Sequence, residues 1–99
     1  MKVLATELLD YDSADHFGDE RAQRALLEDA FNSNDPGIIL HAIGIVARAR
    51  GMTTLAHETG LKRQQLYHAF RSGGNPTIGT VYKVLQSLGL RLQVETVGA

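Results

Sequence analysis

The chain has no cysteine and no tryptophan, only two prolines, and just three tyrosines and three phenylalanines. Without cysteine there is no disulfide frame, no thiol nucleophile and no thiolate metal site, and nothing points to an oxidising compartment. Long apolar runs are missing too. The longest uncharged stretch, Pro36 to Ala47, is 12 residues, whereas a bilayer-spanning helix needs about 20. The opening Met1-Lys2-Val3-Leu4 lacks the apolar core of a signal peptide, so the protein is expected in the cytoplasm. What is present is 99 residues, 43% hydrophobic and 21% charged, the composition of one compact domain. A domain of this size buries only about two-thirds of the surface its unfolded chain exposes. That suffices for a core and leaves little room for a deep active site.

The net charge of −1 conceals a division at Pro36. Residues 1–36 carry Lys2, Arg21 and Arg24 against nine carboxylates, and residues 37–99 carry seven lysines and arginines against Glu58 and Glu95. The halves are therefore −6 and +5. A basic half suits a polyanion such as nucleic acid; an acidic half suits a basic partner or serves solubility.

Hydrophobic spacing predicts five helices and a strand. From Asp19 to about Phe31, Ala22, Leu26 and Ala30 recur every fourth residue, widened by Leu27 and Phe31. Asp35 before Pro36 reads as an N-cap with proline in the first turn. The helix it starts is apolar on nearly every side to Arg50, so it is expected at the centre, with His41 as a hydrogen-bonded structural residue and Gly51 as its stop. Further helices are predicted over Thr53–Thr59, Lys62–Phe70 and Ile78–Leu88, the last capped by Thr77. Ser13 to Phe17 suggests a short helical turn, and Leu90, Leu92 and Val94 alternate with polar residues as in a strand. The organisation expected is an acidic leader and first helix over 1–34 and a second part over 35–99, within one compact unit.

Residues 51–70, GMTTLAHETGLKRQQLYHAF, have the pattern of a helix-turn-helix: small Ala56 where two helices approach, Gly60 at the turn, and Leu55, Leu61, Leu66, Ala69 and Phe70 inside. At 100° per residue, Gln64, His68 and Arg71 lie opposite Leu66, Ala69 and Phe70, flanked by Gln65 and Tyr67. Arginine and glutamine are side chains that read guanine and adenine in the major groove. A polar solvated face would look similar, but Lys62-Arg63 at the helix start favours a ligand. Two cations at the positive end of the helix dipole cost roughly 0.3–1 kcal/mol each, and a nearby phosphate reverses that sign.

Residues 35–92 resemble the addiction-module antidote proteins, a branch of the lambda-repressor-like, Xre/Cro-type DNA-binding domains related to HigA antitoxins. The stretches that carry the resemblance are DPGIILHAIGIVARARGMTTLAHETGL, QQLYHAF and GNPTIGTVYKVLQSLGLRL; residues 1–34 match more loosely. The chain departs from the family at Lys62, where a serine or threonine cap is common. The resemblance implies a mainly α five-helix helix-turn-helix domain with a C-terminal β-strand. It also implies a homodimer that binds double-stranded operator DNA, neutralises a basic toxin of the RelE/ParE superfamily and represses its own operon. On that basis Arg63, Gln64, Gln65, Tyr67 and His68 are the expected base contacts, and Thr53, Thr54, Lys62, Arg71, Asn75 and Lys83 the phosphate contacts. Leu90, Leu92 and Val94 are expected at the dimer contact, pairing with a two-fold copy or with a strand near Lys2 to Leu4. Asp12, Asp15, Asp19 and Glu20 are expected to meet the toxin, with the last helix and strand as the other docking place.

Other chemistry is poorly supported. His16, His41, His57 and His68 form no metal-ligand spacing, Gly73-Gly74 lacks the pattern of a phosphate-cradling loop, and no serine has a histidine and carboxylate set. No cofactor, metal or enzymatic activity is expected. The competing reading is a protein-interaction module or stand-alone phage-type repressor with the same fold and no toxin partner. Steep weakening by salt separates DNA binding from the former.

Overall fold

Three helix starts are written in single residues. Asp19 accepts the backbone N–H of Arg21 at 3.0 Å and opens α1, Glu20–Asn32. Asp35 accepts the N–H groups of Gly37 and Ile38 and opens α2, Pro36–Arg50, with proline in the first turn. Thr77 accepts from Thr80 and opens α5, Ile78–Ser87. Between them lie two helices of eight residues, α3 (Met52–Thr59) and α4 (Arg63–Phe70). These elements come from a computed structural model that describes residues 19–98. The expected turn at Ser13 to Phe17 and the strand near Lys2 lie outside the described residues.

The chain turns by 100° between α2 and α3 in a single residue. That residue, Gly51, has φ of +104°, a backbone region that side-chain-bearing residues rarely adopt. A proline or β-branched residue there would force the corner open. At the far end of α3, Thr59 donates its hydroxyl to the Leu55 carbonyl at 2.7 Å and accepts the Leu61 N–H at 3.2 Å. This clip, with Gly60 as C-cap, sets the direction in which α4 leaves.

α1 packs on α2, α2 on α3 and α4, and α3 on both α4 and α5. One cluster results: Leu27 and Ala30 from α1, Ile43 and Val46 from α2, Leu55 from α3, Leu66 and Phe70 from α4, Val84 and Leu85 from α5. Each of these side chains larger than alanine contributes about 1.5–3 kcal/mol by leaving water. The absence of a side chain at Gly44 matters to this packing. A Cβ there would stand 3.3 Å from the Phe70 carbonyl, so the end of α4 lies close to the α2 backbone.

Two expectations are corrected. His41 is exposed, because the first turns of α2 extend past the bundle and burial is continuous only from Ala42 to Ala47. No strand is present among the described residues, so Leu90 to Thr96 is not the strand expected. The alternation survives in burial, with Leu90 and Leu92 leaning on the core and Arg91 and Gln93 exposed. A strand, however, needs a hydrogen-bonded neighbour, and this segment has none among the described residues.

The joint between the first and last helices is polar. Arg50, at the end of α2, donates from Nε to the buried Gln23 Oε1 at 2.8 Å and from Nη2 to the Leu88 carbonyl at 3.5 Å. It also stands 3.7 Å from Glu20.

Candidate functional site

The helical period turns Leu66 and Phe70 of α4 inward, where they are 0% and 6% exposed. The same rotation leaves Arg63, Gln64, Gln65, Tyr67 and His68 exposed. Five side chains, Arg63, Gln64, Tyr67, His68 and Arg71, line one shallow, open concavity on this face. No acidic residue lines it among the described residues. Arg63 and Tyr67, one turn apart, are held together: the guanidinium carbon lies 5.7 Å from the ring centroid, and Nη2 donates to the phenol oxygen at 3.3 Å. The pair presents a flat cation braced by an aromatic, and Lys62, Arg63 and Arg71 form no ion pair with any described residue.

The start of α4 is unusual within this fold. Lys62 occupies the N-cap position with extended backbone and makes no side-chain capping bond. The start of α3, at Gly51, likewise has none. Among the described residues, the other three helices are all capped by side-chain oxygens. The two uncapped helices are therefore the adjacent pair on either side of Gly60, and their first N–H groups remain available to an outside acceptor.

Thr53 and Thr54, in the first turn of α3, are exposed, as are Lys62, Arg71 and Asn75. Lys83 is exposed on α5 but belongs to a different concavity, with Glu58, Thr59, Gln86 and Ser87. There the Ser87 hydroxyl donates to the Glu58 carboxylate. At the other end of α4, Gly74 donates its N–H to the Arg71 carbonyl at 2.8 Å. A Cβ at Gly74 would collide with the carbonyl oxygens of Ala69, Arg71 and His68. The loop thus closes directly over the last turn of α4.

Of the acidic residues, Asp12 and Asp15 lie outside the described residues. Asp19 is committed to capping α1, and Glu20 is exposed beside Arg50. Leu90 and Leu92 pack against the chain's own core, whereas Val94 is wholly exposed. Sequence reasoning overlooked the Arg63–Tyr67 pair, although its spacing of four residues on a helix was a usable signal. It also overlooked the uncapped start of α3. Among the described residues, no group of three or more histidines and carboxylates could hold a metal ion.

Comparison with known proteins gives two matches of wide coverage. A family model described as "Probable addiction module antidote protein" matches residues 7–96. An uncharacterized protein of Haemophilus influenzae is 37% identical over 92 residues, spanning 93% of this chain and 95% of that protein. No solved structure matches.

Proposed function

The chain belongs to the addiction module antidote family, and from that premise we propose that it is a sequence-specific DNA-binding antitoxin, neutralising a basic RelE/ParE-type toxin and repressing its own operon. Membership in an antidote family implies a toxin partner. The DNA-binding part of the reading takes α3 and α4 as a lambda-repressor-like helix-turn-helix, with α4 in the major groove of a palindromic operator and a homodimer spanning two half-sites. The protein acts in the cytoplasm by binding, with no catalytic step and no cofactor.

The observation that carries the reading is the coincidence of uncapped helix starts with a carboxylate-free polar face. An uncapped start bearing Lys62 and Arg63 is unfavourable in water and favourable against phosphate oxygens. On this reading the first turn of α3, with Thr53 and Thr54, and the start of α4 hold the sugar–phosphate backbone. Gln64 and the Arg63–Tyr67 pair then meet base edges, with His68 beside them and Gln65 at the margin. Arg71 and Asn75 extend the phosphate contacts, with Lys83 at their edge.

A gel-shift titration on the operator, repeated at several salt concentrations, tests this. Gln64→Ala is expected to cost about 1–3 kcal/mol and relax preference at one base pair. Lys62→Ala should weaken all sequences alike and lower the salt slope by about one, as expected when a single phosphate is no longer neutralised. Unchanged operator affinity in both Gln64→Ala and Arg63→Ala would remove α4 from the interface.

A further inference from the structure

The cations at the start, on the face and at the end of α4 are not equivalent. Lys62 and Arg71 are exposed, and no side chain among the described residues holds either head group. Arg63 is held. Its guanidinium carbon lies 5.7 Å from the Tyr67 ring centroid, and its Nη2 donates to the Tyr67 phenol oxygen at 3.3 Å. Side chains on a helix lean towards its N-terminus, so each covers the turn before its own; the Tyr67 ring thus reaches back to the turn that carries Arg63. Both side chains are exposed, so the contact adds little to the fold, and holding a long arginine in water costs conformational entropy. What the contact does is fix the plane of a cation before any ligand arrives.

The guanidinium carries its N–H donors in one rigid plane. Tyr67 takes one of the two hydrogens on Nη2. Whichever it takes, one two-pronged edge stays free, either Nη1 with Nη2 or Nε with Nη2. In the major groove only guanine presents two adjacent acceptors, O6 and N7, to such an edge. We propose that Tyr67 is a positioning residue that acts through Arg63: it fixes the free edge of the guanidinium so that Arg63 selects a guanine in each half-site. The proposal rests on the DNA-binding reading and adds to it which base is selected and which residue sets the selectivity. Lys62 and Arg71, free to swing, suit phosphates, which carry no sequence information.

Duplexes with a random core of about 20 base pairs, room for two half-sites one turn apart, are enriched on the full wild-type chain and sequenced. Each half-site should contain a guanine whose enrichment disappears when the selection is repeated with Arg63→Ala. On the enriched duplex, replacing that guanine by 7-deazaguanine, which has a C–H in place of N7, should weaken wild-type binding about tenfold. Tyr67→Leu should bind the unmodified duplex about tenfold more weakly and lose less than about twofold to 7-deazaguanine. Tyr67→Phe, which keeps the ring and removes the acceptor, should fall between. In the Arg63→Ala background, Tyr67→Leu should cost less than about twofold. A tyrosine that only supports the helix would lower affinity equally on both duplexes and in both backgrounds, and that result overturns the proposal. So does a Tyr67→Leu variant that keeps the full 7-deazaguanine penalty, or a guanine preference that survives Arg63→Ala. If the wild type enriches one sequence and binds it with steep salt dependence while any of these results holds, the positioning role falls and the DNA-binding reading stands. A wild type that enriches nothing from the pool removes the DNA-binding reading, and the proposal with it.

Discussion

Replacing Arg50 by methionine keeps an unbranched apolar stem of similar length and removes the guanidinium, so the polar joint between α1, α2 and the end of α5 is tested with the stem's packing largely retained. Three interactions of the guanidinium disappear, and their geometry ranks them. The bond from Nε to Gln23 Oε1 is 2.8 Å long, and Gln23 is only 2% exposed; a charge-assisted bond of this kind contributes about 1.5–3 kcal/mol. The bond to the Leu88 carbonyl, at 3.5 Å, is at the limit of useful geometry and adds roughly 0.5 kcal/mol or less. The Glu20 carboxylate is 3.7 Å away on a side chain 84% exposed, so screening by water leaves its contribution close to nil. Arg50→Met should therefore cost about 2–3 kcal/mol, almost all of it through Gln23. That is a fall in melting temperature on the order of 10 °C for a domain of this size. Urea titration with Glu20→Gln and Gln23→Leu alongside separates the contributions. Glu20→Gln should lie within about 0.5 kcal/mol of wild type, and Arg50→Met with Gln23→Leu should cost less than the two singles added. A Glu20→Gln loss equal to that of Arg50→Met, or strict additivity of the other pair, would show that Gln23 is not the partner that matters.

Gly74→Ala places a methyl against three carbonyls at the end of α4 and should cost about 1–3 kcal/mol in a thermal melt. It should also weaken operator binding, since Arg71 and His68 ride on that turn; Gly73→Ala, whose φ of +79° costs backbone strain while its Cβ meets open space, separates strain in the loop from the collision, and equal operator affinities in the two variants would refute the idea. Reversing Asp12, Asp15 and Glu20 to lysine should slow toxin association in stopped-flow mixing by a factor that shrinks with added salt. Asp19 is left intact there because it caps α1; an unaffected association rate at low ionic strength would direct the toxin to another surface, with α5 and the tail first in line.

Local signals in the sequence were legible where a few neighbouring residues decide the outcome. Asp35-Pro36 and Thr77 start helices because their side-chain oxygens reach N–H groups within three residues. The inner and outer faces of α4 follow from its period alone, so all five expected base-contacting residues are exposed and four of them line one concavity. What could not be read depends on residues far apart. Arg50 and Gln23 are 27 positions apart, and nothing in either neighbourhood specifies the other. The exposure of His41 depends on where the bundle stops, which the apolar run from Pro36 to Ala47 does not encode. The tail shows the same boundary: alternation marks which side of Leu90 to Thr96 is apolar, whereas a strand exists only through the chain it pairs with.

The division between capped and uncapped helices bears on the lifetime of the protein in a cell. A helix that ends in unmet N–H groups opens more readily, and proteases act on opened segments. Free antidote would then be the form most open to degradation at α3 and α4, and operator-bound antidote the form shielded there. Of the two uncapped starts, only Lys62 can be repaired by substitution, because the backbone at Gly51 excludes serine or aspartate. A library sorted for protease resistance without DNA would drift towards serine, aspartate or asparagine at position 62, each adding about 1 kcal/mol. Sorted for repression, the same library would keep a cation there. On the DNA-binding reading, selection for persistence and selection for control therefore pull the residue at 62 in opposite directions.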